Sequence, residues 1–357
     1  MEKFAFIFHP LDVSYIYRKF PWLSVFPDAI VETAFKFTPP LVVSHITGIK
    51  SAYAEAEGWF VNVPLTSSQM LALPEETVLK HIIRAGKKAE ELGAKVIGLG
   101  AFTAVVGDAG ITVARNLHTA VTTGNSYTVG TALEGIRLAA DKMGIDLKKA
   151  EVLVVGANGA IGSACARILA REVNYLTLAS RNGQRLENLS RRILRESGLA
   201  TRVTDDFKKA IRQADVVLTV TGSATSVIEP EDLKPGAVVC DVARPRDVSK
   251  EVAQARPDVL VIEGGVVQVP GQVDFGFDFG FPPGMSFACM AEAMILALEG
   301  RHDNFTLGRD LRVEQIDEIM KLAKKHGFRL AGLRSFDRAL QESEVQQIKH
   351  RSRRSTW

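Results

Sequence analysis

The sequence predicts an α/β protein with two domains: an N-terminal mixed α/β domain and a doubly wound parallel sheet, with C-terminal helices packing back on the interface. Two observations lead to this prediction. From residue 151 onward, apolar runs of about five residues alternate with helical stretches, which is typical of a parallel sheet covered on both faces. The chain has 357 residues, of which 46% are hydrophobic, enough for two cores of ordinary size.

In the first half, short apolar runs bounded by turn residues predict strands at residues 4–8, 41–46, 59–63 and 95–99. Residues 75–92 follow Pro74 and repeat apolar side chains at helical spacing, with Gly93 in the position of a C-terminal cap. A second helix is expected over residues 128–143, which Gly144 ends.

The second half predicts five strands, at residues 152–155, 176–179, 216–220, 238–242 and 260–263. Helices are expected over residues 286–299 and 313–326. We therefore expect a mixed α/β domain over residues 1–145 and a parallel-sheet domain over residues 146–285. C-terminal helices over residues 286–334 and a basic tail, helical or disordered, over residues 335–357 complete the chain.

The charge and the cysteine content limit which binding partners and which cellular compartment we expect. The net charge is +3, but the last nine residues hold four basic side chains and no acid, so the rest carries +3 less four, or −1. A nucleic-acid partner is therefore not expected. Three cysteines without CxxC spacing argue against disulfides and a structural metal and favour the cytoplasm. No apolar run is long enough for a membrane span, and no signal peptide pattern is seen.

A glycine-rich turn follows the first strand of the parallel sheet. Its GxxGxxG spacing lies between a predicted strand and a predicted helix, within a βαβ unit. Such a turn lets backbone approach a pyrophosphate, and the N–H groups at the helix start bind the anion. We therefore expect a Rossmann dinucleotide site, with a tight turn that binds nothing as the alternative. Its loop residues are Gly156, Asn158, Gly159, Ala160, Ile161 and Gly162.

The end of the second strand in this domain indicates which dinucleotide binds. NAD sites usually place an acid there, whereas Ser180 and Arg181 follow this strand and Arg185 lies one turn on. A guanidinium pairs with a 2′-phosphate, so we expect NADPH; ordinary surface arginines are the alternative. Further candidate cofactor residues, or simple turns, are Thr221, Gly222, Gly264 and Gly265.

One cysteine differs from the other two. Cys165 and Cys240 lie in apolar helical and strand segments and are interpreted as small buried side chains. If Ser286 is an N-cap, Cys289 is the third residue of the helix that follows. The helix dipole favours a thiolate there, and a thiolate attacks activated carbonyl groups. The alternative is that Cys289 only fills space among small side chains.

Several segments resemble the cyanobacterial long-chain acyl-[acyl-carrier-protein] reductase family, within the shikimate dehydrogenase-like superfamily. They are residues 100–103, 122–128, 158–163, 285–294, 299–305 and 325–328, colinear over residues 98–328. In that family a cysteine takes the acyl group from its carrier as a thioester, and NADPH reduces it to a fatty aldehyde. The resemblance places that cysteine at Cys289 and implies that residues 1–145 bind the acyl group. Residues 1–95 match weakly, which leaves chain length and carrier open.

The resemblance implies acyl carrier protein or acyl-CoA as donor and an aldehyde-consuming enzyme downstream. Reduction through acyl-Cys289 develops an oxyanion that needs donors. Asn125, Tyr127 and His302 are candidates, with a polar turn, core packing and a helix cap as their respective alternatives. The basic tail either docks the acidic carrier or a membrane surface, or remains a solvated end. Candidates for an acyl channel, or for one face of a core segment, are Phe35, Phe37, Phe102, Phe275, Phe277, Phe279 and Phe281.

Two other functions stay open. A dehydrogenase of a small hydroxy or keto acid, similar to shikimate dehydrogenase, needs a Lys–Asp pair that residues 62–65 and 124–126 do not offer. A non-catalytic nucleotide-binding protein on the same fold is the other. The chain resembles glutamyl-tRNA reductase in domain order and in residues 241–247. A member of that family should carry its cysteine in the N-terminal half and a helical tRNA-binding domain, and we find neither feature in this sequence.

Overall fold

The computed structural model describes residues 1–223, 226–243, 246–278 and 280–354. The elements up to residue 143 are β1 (Glu2–Phe8), α1 (Val13–Lys19), α2 (Asp28–Phe35), β2 (Val42–Lys50), β3 (Glu55–Asn62), α3 (Ser67–Ala72), α4 (Glu75–Glu91), β4 (Val96–Leu99), α5 (Ile111–Arg115), β5 (Ala120–Thr122) and α6 (Asn125–Met143). Short 3₁₀ turns cover Pro21–Val25 and Ala101–Ala104.

The elements from residue 151 onward are β6 (Glu151–Val155), α7 (Ala160–Leu169), β7 (Tyr175–Ala179), α8 (Gly183–Ser197), β8 (Arg202–Thr204), α9 (Phe207–Ile211), β9 (Val216–Thr219), β10 (Val238–Asp241), α10 (Lys250–Ala255), β11 (Leu260–Glu263), β12 (Val266–Gln268), β13 (Gly271–Asp274), β14 (Met285–Phe287), α11 (Ala288–Leu298), α12 (Val313–His326), β15 (Arg329–Leu330), β16 (Arg334–Ser335), β17 (Arg338–Ala339) and α13 (Glu342–Arg354). A 3₁₀ turn covers Pro230–Asp232.

The chain divides into two compact units, each built from separate segments. The first contains Met1–Tyr127, Gln268–Arg309 and Glu318–Arg329, and the second contains Thr128–Val267, Asp310–Asp317 and Leu330–Trp357. The change of unit falls within α6, whereas the sequence predicted it after residue 145. Residues 286–334, expected as a separate group of helices, are divided between the units, and the expected tail belongs to the second unit, where it contains α13.

The first unit is built on a six-stranded sheet in the order β13-β2-β3-β1-β4-β5. Strands β3, β1, β4 and β5 are parallel, and β2 and β13 extend one side in antiparallel pairing. In this register Ala5 of β1 lies opposite both Trp59 and Ile97. The carboxyl ends of four neighbouring strands therefore meet at one edge of the sheet.

The two faces of this sheet pack against different helices. Ile7 of β1 joins a core with Ile82 of α4 on one face. Because side chains alternate along a strand, Phe6 points to the other face. A Cβ atom built on Gly98 of β4 would lie 2.7 Å from the Phe6 ring and 3.0 Å from the Cβ of Ala293 in α11. The second face is therefore the one that α11, which is buried along its length, covers.

The second unit contains the predicted parallel sheet, in the order β11-β10-β9-β6-β7-β8. Val154 of β6 lies opposite Leu178 of β7 and Leu218 of β9. Successive strands extend first to one side of β6 and then to the other, so the order reverses between β6 and β9. Ligands bind in open sheets at the carboxyl ends next to such a reversal. The predicted α/β class with a Rossmann-like parallel sheet is confirmed.

Predicted and observed elements agree best where the hydrophobic period is strong. The helix predicted over residues 75–92 is α4, Glu75–Glu91, and the strand predicted over residues 260–263 is β11. The sequence prediction omitted the short helices α1 and α2. Across the described residues, every helix falls short of the length or the apolar character that spanning a bilayer demands.

Candidate active site

Cys289 lies in the first turn of α11, in the first unit. The helix begins at Ala288, and Phe287 is its N-cap without a side-chain capping bond. The expectation that Ser286 caps this helix is wrong, because Ser286 is buried in β14, two residues before the helix begins. Cys289 is thus the second helical residue, not the third, and is half-buried. It remains in the first helical turn, where the helix dipole stabilises a thiolate.

Gly124 lies directly against Cys289. Its φ is +74°, and a Cβ atom built on it would lie 2.3 Å from the Cα and 2.5 Å from the Cβ of Cys289. Only glycine fits both the left-handed backbone and the close approach. The turn that follows β5 therefore reaches the cysteine through bare backbone.

A buried carboxyl group, Glu292 of α11, holds this turn in place. It accepts hydrogen bonds from the Thr122 hydroxyl and, at 2.7 Å, from the Tyr127 backbone N–H. Burial raises the pKa of Glu292, and the hydrogen bonds from Thr122, Tyr127 and the Gly124 N–H oppose that rise. Both ends of the turn are thus tied to one side chain of α11.

Sequence reasoning did not single out Glu292. It is the only charged residue of α11, and it lies three residues after Cys289, on a neighbouring part of the helix surface. An isolated acid in an apolar helix was the available signal, because a carboxyl group is buried at high cost unless partners satisfy it. Glu292 is a positioning residue: it fixes the turn that contacts the cysteine.

The structure brings two of the three candidate donors to this turn. Asn125 and Tyr127 are the first and third residues of α6, with Asn125 half-buried and Tyr127 buried. His302 lies beyond the other end of α11, a helix about 16 Å long, where it pairs with Glu2 at 2.9 Å. Since Glu2 begins β1, at the edge opposite the carboxyl ends, the structure does not bring His302 to the turn that contacts Cys289.

A second residue that the sequence analysis missed is His9, which follows β1 at the carboxyl edge and is buried. Its Nε2 accepts from the Phe102 backbone N–H at 3.2 Å, so Nδ1 carries the proton that it donates to the Pro10 carbonyl oxygen at 3.0 Å. The ring also stacks on Phe102. Burial lowers the pKa of His9 to about 4, so the imidazole is neutral at pH 7. A lone histidine after a strand gives no signal in the sequence that it is buried and neutral.

In the second unit, the glycine-rich turn joins β6 to α7. Gly156 has a φ of +84°, and a Cβ atom on it would lie 2.4 Å from the Val220 carbonyl oxygen. A Cβ atom on Gly162 would lie 2.4 Å from the Gly156 carbonyl oxygen, so α7 packs close to the turn. Gly159 is the N-cap and supplies no side-chain cap, which leaves the first-turn N–H groups for an anion. These groups belong to Ala160, Ile161 and Gly162.

The end of β7 carries the predicted arginines at the surface. Arg181 and Arg185 are exposed, and Ser180 is half-buried. The Asn158 amide donates to the Asn182 carbonyl oxygen at 2.9 Å, which joins the glycine-rich turn to this strand end. No described residue accepts a hydrogen bond from either guanidinium group. The two cations are therefore available to an anionic ligand.

The loop after β9 is organised by Asp247, which is fully buried. Its carboxylate accepts hydrogen bonds from the Thr219 and Thr221 hydroxyls and, at 2.9 Å, from the Thr221 N–H. Gly222 is exposed with open space around it. Thr221 is thus engaged within the loop, and the backbone at Gly222 stays accessible. Residues 244 and 245, in the segment similar to glutamyl-tRNA reductase, lie outside the described residues.

Gly264 and Gly265 follow β11. A Cβ atom on Gly264 would lie 2.7 Å from Val242 Cγ2 and 3.1 Å from the sulfur of Cys240, and Gly265 has a φ of +82°. Packing within the second unit thus requires glycine at position 264, and the prediction that Gly264 and Gly265 contact a cofactor stays a prediction.

The three cysteines differ in accessibility. Cys165 and Cys240 are fully buried, and burial raises the pKa of Cys165 to about 12. Only Cys289 is accessible. Within the described ranges, no three histidine, cysteine or acidic side chains lie together as a metal site would need.

The candidate channel phenylalanines have different environments. Phe37 is exposed, and Phe279 lies outside the described residues. Buried or half-buried are Phe35, Phe102, Phe275, Phe277 and Phe281.

Comparison with known proteins assigns the chain to a family. A family model for shikimate / quinate 5-dehydrogenase matches residues 137–262, which contain all of the second unit's sheet except the last residue of β11. The long-chain acyl-[acyl-carrier-protein] reductase of Synechococcus elongatus is 30% identical over 305 residues, which cover 81% of this chain and 87% of that protein. The chain belongs to the acyl-[acyl-carrier-protein] reductase family. With its Rossmann domain, the protein is an NAD(P)-dependent oxidoreductase.

Two other relatives are similar to this chain over only part of their own length. The aminotransferase PigE of a Serratia species is 32% identical over 300 residues, which cover 83% of this chain and 35% of that protein. A glutamyl-tRNA reductase of Actinobacillus succinogenes is 26% identical over 196 residues, 52% of this chain and 45% of that protein. The chain therefore spans about a third of PigE and less than half of that glutamyl-tRNA reductase.

Proposed function

We propose that the protein reduces a long-chain fatty acyl thioester to the fatty aldehyde with NADPH, through a covalent acyl group on Cys289. The observation that carries the proposal is the position of Cys289, accessible in the first helical turn and packed against a turn that Glu292 holds. The name of the Synechococcus relative supports the acyl substrate.

The first step transfers the acyl group to the protein. The Cys289 thiolate attacks the thioester carbonyl carbon, the bond from that carbon to the carrier sulfur breaks, and the carrier leaves as a thiolate that takes up a proton. The N–H groups in the first turn of α11, which has no side-chain cap, and the Asn125 amide are the proposed oxyanion donors. Tyr127 positions this turn through its backbone N–H.

The second step regenerates the cysteine. Bound NADPH supplies a hydride for the acyl carbonyl carbon. The hemithioacetal oxyanion on Cys289 then collapses and expels the thiolate, which yields the aldehyde. Because this collapse consumes no proton, the proposal includes no general acid and assigns no role to His302.

The proposed NADPH contacts lie at the carboxyl ends of the strands in the second unit. The glycine-rich turn and the start of α7 suit a pyrophosphate, since a φ of +84° and an uncapped helix start leave backbone N–H groups accessible. Arg181 and Arg185 suit a 2′-phosphate. The full proposed set is Gly156, Asn158, Gly159, Ala160, Ile161, Gly162, Ser180, Arg181, Arg185, Thr221, Gly222, Gly264 and Gly265.

The proposed acyl donor is acyl carrier protein or acyl-CoA, in the cytoplasm, and the proposed fate of the aldehyde is a downstream enzyme that consumes it. The thioester of either carrier provides the same leaving thiolate, so the chemistry at Cys289 is identical for both.

Covalent acylation is tested by incubating the protein with palmitoyl-CoA without NADPH and measuring its intact mass. We expect a mass increase of one palmitoyl group, which NADPH then removes as aldehyde. Cys289→Ser should abolish the adduct and lower kcat for aldehyde formation roughly 1,000-fold or more, because the nucleophile is lost.

Matched controls are Cys165→Ala and Cys240→Ala, which remove buried sulfurs and should retain the adduct. An adduct that persists in Cys289→Ser, or aldehyde formation by the wild type without any adduct, contradicts the proposal.

A further inference from the structure

The first unit contains an apolar cavity of about 250 Å³. Residues of α1 and α2 and the first residues of β2 line it. Its lining is mainly apolar and includes Phe8, Tyr15, Phe20, Phe35, Val43 and Phe277.

The cavity lies at the same edge of the sheet as Cys289. Phe8 and Asn62, which line it, are the last residues of β1 and β3. Gly124, which packs on Cys289, follows the end of β5. Because β3, β1, β4 and β5 are parallel neighbours, all of these residues belong to the carboxyl edge.

The cavity also lies on the same face of the sheet as α11. Phe6 and Phe8 are two residues apart in β1 and point to one face, and Phe6 lies beside Ala293 of α11 at Gly98. Phe8 packs in turn on Phe277, with 6.2 Å between ring centroids. Cys289 and the cavity therefore lie at the same edge and on the same face of the sheet.

We propose that this cavity binds the distal end of the acyl chain while its carbonyl carbon is attached to Cys289. The inference rests on the proposed function and adds the subsite that selects chain length. From β5 to β3 the route crosses three strand spacings, about 14 Å. Because C–C bonds of about 1.5 Å follow a zigzag, an extended chain advances only about 1.3 Å per carbon and needs roughly 11 carbons to cover this distance. Chains longer than that enter the cavity, and shorter ones do not.

Polar contacts hold the helices that cover the cavity. The Tyr17 hydroxyl donates to Asp28 at 2.5 Å, and the Ser68 hydroxyl donates to Glu32 at 2.7 Å. The Lys19 ammonium group donates to the Val43 carbonyl oxygen at 3.2 Å. These contacts fix the elements around the cavity, which suits a site that measures chain length.

The test fills the cavity with Val43→Trp and compares acylation of Cys289 by decanoyl-CoA and palmitoyl-CoA. Each methylene group that loses an apolar site weakens binding about fourfold. If the indole displaces two or three methylene groups, palmitoyl transfer should slow roughly 10- to 100-fold while decanoyl transfer stays unchanged. Val25→Trp is the matched control, because Val25 is 78% exposed and lies outside the cavity. It should leave both rates unchanged. Equal effects of Val43→Trp on both chains, or no effect on either, overturn the inference.

Two further measurements cover the case that Val43→Trp misfolds. Phe20→Ala enlarges the cavity and should shift the preference toward longer chains. Palmitoyl-CoA with a diazirine at its terminal carbon should label wild-type peptides that contain residues 8–43 or 277. Labelling elsewhere overturns the inference, whereas absence of any acyl-Cys289 with either chain length contradicts the proposed function itself.

Discussion

At the scale of single residues, two buried titratable groups shape the first unit. Glu292 and His9 both lie near the carboxyl edge of the sheet, and backbone N–H groups hold both side chains. Such groups persist in a core only because their hydrogen bonds offset the cost of burial. Each therefore couples the local backbone to the surrounding helices and strands, and each makes stability sensitive to protonation.

His9 predicts a pH dependence of stability. Its pKa is lowered by burial from 6.5 to about 4, so the unfolded chain binds a proton at a pH where the folded chain does not. The His9 contribution is complete above about pH 6.5 and is lost as the pH falls toward 4, by at most about 3 kcal/mol. His9→Gln keeps an acceptor for the Phe102 N–H and should reduce this loss, measured as urea unfolding free energy at pH 5 and pH 7.5.

The control is His118→Gln, which alters an exposed histidine of the same unit and should retain the wild-type pH dependence. If His9→Gln loses as much stability between pH 7.5 and pH 5 as the wild type does, His9 is not the source of the effect.

At the scale of elements, α11 connects the core of the first unit to the candidate site. Its apolar surface packs on β1 and β4, and its first turn presents Cys289 to the turn after β5. The position of the cysteine therefore depends on how closely Gly124 approaches it. A single methyl group at that contact tests the arrangement.

Gly124→Ala should destabilise the protein by about 2–4 kcal/mol, because it adds a left-handed alanine and a clash with Cys289. It should also slow acylation of Cys289 more than tenfold, measured by intact mass. Gly300→Ala is the matched control: φ is +68° there, with open space around it. It should cost only about 1 kcal/mol and leave acylation unchanged. Equal effects of the two substitutions would show that the contact does not matter.

Sequence patterns predicted these elements unevenly. In α4 the apolar positions recur over 17 residues, and the observed helix matches the prediction closely. By contrast, α1 and α2 have seven and eight residues, too short for a clear period. The strand β13 joins β2 through pairing of residues more than 200 positions apart, which no local pattern reveals. The sequence analysis named Phe35 and Phe277 as channel candidates, but the cavity that they line together with residues of α1 and β2 was not predictable from local patterns.

At the scale of the whole molecule, the sequence predicted the parallel sheet and its glycine-rich turn because both depend on local order along the chain. It did not predict the division into units, because the first unit recruits two later segments. His302 illustrates the same limit: it follows Cys289 by 13 positions, but α11 separates the two residues. Of the candidate active site, Cys289, Asn125 and Tyr127 are brought to one turn, and Glu292 had to be found in the structure.

The cofactor preference of the whole enzyme provides a further prediction. Arg181→Ala combined with Arg185→Ala should raise KM for NADPH roughly 10- to 100-fold and leave KM for NADH unchanged, because charged hydrogen bonds to the 2′-phosphate are lost. Steady-state reduction of palmitoyl-CoA with each cofactor measures this. Arg191→Ala, an exposed arginine farther along α8, is the control and should change neither value. An unchanged NADPH-to-NADH ratio in the double variant contradicts the assignment.

The segmented build of the first unit has a consequence during synthesis on the ribosome. Strands β1 to β5 emerge first, but the helix that covers one face of their sheet, α11, begins only at residue 288. Until then the aromatic face formed by residues such as Phe6 stays open to water. The nascent N-terminal segment therefore exposes an apolar surface while the ribosome translates the parallel-sheet segment that lies between β5 and α11.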